Sequence, residues 1–154
     1  MAEPMPVNLA HKPVFAVEGY DAIDGPYAGN TDAQHLSIGL AQWNTAEISL
    51  KVWRHTGEKW SRQSEELPPH RVVDLALLYC LTRLARADGS EAISAGHGNF
   101  QLDVTMKHGD RTSNTVNSML RVVDSQMEEL DTHMRDRLLA LSSVLDDMKH
   151  RGLL

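Results

Sequence analysis

The residues of this chain best suited to chemistry lie between Ile48 and Arg71, in the run ISLKVWRHTGEKWSRQSEELPPHR. Between Lys51 and Arg62 within it, Lys51, Arg54, Lys59 and Arg62 stand against the single Glu58, in a protein whose net charge is -6. Four cations beside Trp53 and Trp60 have the composition of an anion site. Lysine and arginine neutralise phosphate, and an indole stacked on a base contributes about 1–3 kcal/mol. His55, His70 and Arg71 extend the set, because an imidazole titrates near neutrality and a guanidinium grips phosphate through two hydrogen bonds. The expected ligand-binding residues are therefore Lys51, Trp53, Arg54, His55, Lys59, Trp60, Arg62, His70 and Arg71.

A β-hairpin would position them. Ile48, Leu50 and Val52 alternate with Ser49, Lys51 and Trp53, the period of a half-buried strand. With the turn tip at Thr56-Gly57, or a loop over His55 to Glu58, Trp53 faces Trp60, Lys51 faces Arg62, Ser49 faces Ser64 and Arg54 faces Lys59. Such like-charge pairs cost about 0.2–1 kcal/mol each unless an anion lies between them. The competing expectation is structural: the tryptophans pair under the C-terminal helices and the cations pair with Glu47, Glu58, Glu65 and Glu66.

Other chemistry finds little support. The chain has no HExxH, GxSxG, Walker or GxGxxG pattern and one cysteine, and Asp21, Asp24 and Asp32 lack the spacing of a calcium loop. No catalytic residue, metal or cofactor is assigned. His55 and His108 read as exposed turn residues. With 154 residues, 42% apolar and 23% charged, the chain is long enough for one α+β domain over residues 1–154 that needs no disulfide. Cys80 in an apolar run, with neither a signal peptide nor a membrane span in sight, points to the cytoplasm and no membrane partner.

Along the chain, strands come first and long helices last. Residues 1–13 form an irregular arm whose order depends on docking, Val14–Val17 a short strand, and 21–32 a Gly-Pro loop. His35–Trp43 alternates as a second strand, before Ile48–Trp53. Pro68-Pro69 opens a helix to about Ala87 that is apolar nearly all round and should be the buried centre of the fold. Ser94–Asn99 reads as a loop, and Phe100–Met106 as a strand with Phe100, Leu102, Val104 and Met106 inward. From Ser113 to His150 a seam runs from Val116 to Met134 at spacings of four and three, continuing through Leu138, Leu141, Leu145 and Met148 after one extra residue. One long helix or a helical hairpin both fit. The fold class is a small antiparallel sheet packed on these helices. Ile48–Lys59 and Phe100–Arg111 align without gaps, read either as two related strand-then-helix halves or as the common look of strands entering a glycine turn.

The segments TDAQHLSIGLAQWN (31–44) and ISLKVWRHTGEKWSRQSEELPPHRVVDLALL (48–78) resemble an uncharacterised bacterial domain-of-unknown-function family, most specifically in KVWRHTGEKWSRQSEELP. The resemblance covers nearly the whole chain, is weaker from Asp88 to Leu154, and implies no catalytic residue. A looser similarity, of topology alone, is to single-stranded nucleic-acid-binding coactivator and whirly domains, whose sheets Lys51, Trp53, Trp60 and Arg62 would match. Three functions are compatible with these features. The first is a non-catalytic module binding a nucleotide, single-stranded nucleic acid or other anion on the hairpin. The second is a structural or regulatory protein acting through a helical homodimer or partner interface. The third is an enzyme on a phosphorylated small molecule using His55 or His70 with Arg54 and Lys59.

Overall fold

A computed structural model describes residues 2–61, 67, 69–107 and 114–154. Its sheet has five strands in the order β3-β2-β1-β5-β4, every neighbour antiparallel: β1 (Lys12–Val17), β2 (Ala33–Leu40), β3 (Ile48–Arg54), β4 (Ala92–His97) and β5 (Phe100–Met106). Each hairpin, β2-β3 and β4-β5, is followed by a helix, α1 (Pro69–Asp88) and α2 (Asn114–His150). This is the expected α+β architecture, and α2 is one unbroken helix of 37 residues rather than a hairpin.

Strand alternation decides which side chains meet the helices. Leu36, Ile38 and Leu40 of β2 and Val52 of β3 join Leu78 and Leu81 of α1 and Leu120 and Val123 of α2 in the main core. Side chains of the other parity form a second, smaller layer of Met5, Ala16, Trp53 and Trp60 on the opposite sheet face. Between Pro13 and Phe15 the register of β1 against β2 slips by one residue. The close approach needs glycine at position 39, where a Cβ would lie 1.9 Å from the Lys12 carbonyl oxygen.

Three expectations are corrected. Most of SAGHGN is strand: β4 pairs with β5 along its length, and only Gly98-Asn99 form the turn, with Gly98 at φ +60°. Ala, Ser and Gly on an edge strand leave no apolar alternation to detect, yet their backbone bonds still form the ladder. Phe100, beside that turn, is exposed rather than inward. Helix α1 is not buried all round, since Val72, Val73 and Leu84 are more than half exposed and only its sheet-facing side is covered. The residues Arg62, Ser64, Glu65, Glu66, Pro68, His108 and Ser113, used in the sequence reading, lie outside the described residues.

Candidate functional site

Past β3 the chain turns back at Gly57-Glu58, with Gly57 at φ +96°, a conformation glycine reaches without steric cost. Thr56 N–H donates to the Lys59 carbonyl (2.9 Å), Ser61 N–H to the Arg54 carbonyl (2.7 Å), and His55 lies opposite Trp60. The expected register is therefore off by two residues: Trp60 faces His55, and Lys59 faces Thr56 rather than Arg54. Turn geometry sets register, and Thr56 closes this turn with its own hydroxyl, which is 3.2 Å from the Lys59 carbonyl. Because the slip is even, Trp60 stays on the face of Trp53. The two indoles meet edge-on at 5.8 Å, and His55 and His35 lie 4.9 and 5.8 Å from Trp60.

This face is closed, and by the N-terminal arm rather than the helices. Trp53 is 1% exposed, with Met5 packed in the same cluster. Its indole N–H donates to Ser37 Oγ (2.7 Å); His11 bridges Ser37 Oγ (2.9 Å) and Ser49 Oγ (3.0 Å); Lys51 Nζ sits 4.1 Å over the indole ring. His35 accepts from the Gly19 N–H at Nδ1 and donates from Nε2 to the Glu3 carbonyl (2.6 Å), which requires the neutral ring. Burial lowers the pKa of Lys51, and stacking on Trp53 would require the arm to lift.

The arm is thereby tied to histidine protonation. Burial first, and then the charge of Lys51, push His11 down to about 4, and burial lowers His35 as well. As pH falls below about 6.5 the unfolded chain takes up a proton that the folded chain resists, so stability is lost until the pH reaches about 4. One pKa unit is about 1.4 kcal/mol, so His11 alone should remove about 3 kcal/mol across that window. Urea unfolding at pH 7 and pH 4 tests this. The His11→Gln variant should show a correspondingly shallower dependence, and an identical slope would rule out His11 as its source.

The remaining expected site residues are dispersed. Arg54 lies on the other parity and pairs with Asp32, its Nε 3.0 Å from both carboxylate oxygens. Lys59 is exposed at the hairpin tip. His70 and Arg71, at the start of α1, converge on Asp24, with His70 Nε2 at 2.7 Å and Arg71 Nη2 at 2.7 Å. Asp24 is fully buried; burial alone would raise its pKa, but hydrogen bonds from Arg71, His70 and Thr31 outweigh it and hold the carboxyl below the usual range. Beside it Tyr20 donates to Asp74, whose pKa is raised, chiefly by burial. The structure thus brings together Lys51, Trp53, His55 and Trp60, and separately His70 and Arg71, while Arg54 and Lys59 stand apart.

Two apolar features complete the surface. A groove of about 460 Å³ opens between the sheet, α1 and α2, walled by Ile48 and Leu50, by Val72 and Ala76, and by Leu130, Met134 and Leu138 of α2. Tyr79 also lines it; its buried hydroxyl has no hydrogen-bond partner among the described residues. Beyond Leu138, α2 leaves the body, with Leu139, Leu141, Val144 and Leu145 between 36% and 61% exposed. Sequence spacing had marked that seam. The groove had no local signal, because its walls come from three distant segments.

Among the described residues no helix is long and apolar enough to cross a membrane, and no group of three or more His, Cys, Asp or Glu is placed to hold a metal. No curated protein and no solved structure shows significant similarity to the chain. Residues 3–150 match a family of unknown function, DUF6530, and the chain belongs to that family.

Proposed function

We propose that this DUF6530 chain is a non-catalytic cytoplasmic protein that works by associating with a second copy of itself through the far half of α2. The observation that carries the proposal is the continuation of α2 past the body with Leu141, Val144 and Leu145 exposed along one side of it. A helix with an apolar stripe gains stability chiefly by burying it, and an isolated twelve-residue stretch is marginal in water. Clustered exposed apolar side chains mark interaction surfaces, whereas single ones need no explanation. The anion reading of the hairpin has less behind it: Arg54 and Arg71 are paired with Asp32 and Asp24, His70 is hydrogen-bonded to Asp24, and Trp53 is covered by the arm.

Sedimentation equilibrium tests the proposal. The expected species has twice the 17.2 kDa chain mass, and Leu141→Asp with Leu145→Asp should return it to monomer with the sheet intact. A strict monomer at about 100 µM, weaker than the roughly micromolar affinities typical of specific pairs, would sink the idea.

A further inference from the structure

We propose that the two α2 helices pair antiparallel and that the end of each lies against the apolar groove of the other copy, so that each groove is completed only by its partner. This inference rests on the self-association proposed above. It starts from the phase of the seam. Between Val116 and Met134 the spacings alternate four and three, and the single extra residue before Leu138 offsets the drift that a strict heptad builds up on a straight helix. At about 100° per residue, every seam position from Val116 to Met148 falls within about 40° of one line. Leu141, Leu145 and Met148 therefore point to the same side of α2 as Leu130, Met134 and Leu138, the wall of the groove.

The free seam is too short to hold a dimer by itself. From Leu139 to His150 it runs about 18 Å, whereas a coiled coil is sustained over three to four heptads. A few leucine-sized burials per copy, at about 1.5–3 kcal/mol each, are comparable with the roughly 4–15 kcal/mol that association costs. The groove supplies the missing apolar surface next to the seam, with Leu50 and Val72 exposed on its rim.

Charge selects the direction. When Leu138 meets Leu141 of the second copy and Met134 meets Leu145 of the second copy, Met148 of that copy reaches Leu130. The same register brings Lys149 of one copy beside Asp131 of the other, both about 60° to the same side of the seam. A parallel in-register pair would hold Lys149 about 27 Å from Asp131 of the other copy and lose this contact.

Spin-label distances and a groove substitution test the arrangement. With Cys80→Ser and a nitroxide on His150→Cys, antiparallel pairing in this register separates the two labels by about 21 residues, or about 30 Å, while parallel pairing holds the backbones about 10 Å apart. Val72→Glu lies outside α2 on an exposed groove position, so the fold should tolerate it while the dimer dissociation constant rises at least tenfold. A short label distance, or an unchanged dissociation constant, overturns this arrangement while leaving self-association standing. A monomer before any substitution overturns both.

Discussion

Asp24→Ala is expected to lower the unfolding free energy by about 3–5 kcal/mol, the range for removing one partner of a buried ion pair. Asp24 is 0% exposed, and Arg71, which it holds through both carboxylate oxygens, is 5% exposed. Without the carboxylate the guanidinium would stay out of water with its charge uncompensated, and His70 would lose its acceptor as well. The loop around the 3-10 turn Gly25–Tyr27 is tied to the start of α1 by this contact, and Gly25 approaches the His70 ring so closely that a Cβ would lie 3.0 Å from it. Denaturant unfolding at pH 7 measures the effect; a loss below about 1 kcal/mol would mean that Arg71 finds another partner.

The same residue has its own acid signature. Because the folded Asp24 pKa is depressed below 3.8, its contribution is present above that value and lost as pH falls through the lower folded pKa. That window lies below the one in which His11 acts, so the two groups are separable in one titration of stability. Asp74 has the opposite sign: its pKa is raised, mainly by burial, so its charged form opposes folding above the folded pKa. Asp74→Asn, which keeps an acceptor for Tyr20, should cost less than Asp24→Ala.

Trp53→Ala carries the second large expected effect, about 3–5 kcal/mol, as for other buried aromatic truncations. The cavity would open beneath Met5 and Trp60, and Ser37 would lose the indole N–H it accepts. The arm has few other anchors on this face, the His35 contact to Glu3 and the His11 bridge among them, so protease cleavage within residues 2–11 should accelerate together with the stability loss. In a Trp43→Phe, Trp60→Phe background, which leaves Trp53 as the one indole, acrylamide should quench the remaining fluorescence weakly. Efficient quenching of Trp53 would show an open face and restore the base-stacking platform.

Much of the fold was legible because it depends on local period. Alternation at Ile48–Val52 and Leu102–Met106, the proline before α1 and the repeating seam of α2 each encode a strand or helix within a few residues. Edge strand β4 escaped detection for the converse reason, since it is held by backbone pairing and its side chains carry little apolar signal. The hairpin register failed by two residues because the turn is closed by Thr56, a choice among several loops that composition leaves open.

The sequence by itself determined which residues carry charge and aromatic surface, where strand and helix periods run, and that the far half of α2 has an apolar seam. It could not determine which charges meet. Asp24 lies 47 positions from Arg71, Asp32 lies 22 from Arg54, and Met5 of the arm that covers Trp53 lies 48 positions before it. Those pairings follow from the antiparallel order β3-β2-β1 and from where α1 starts relative to it, and only tertiary structure supplies them. The physical reason is that periodicity records the surface each element must bury, while neutralising a charge depends on which distant partner the folded chain brings within about 3 Å.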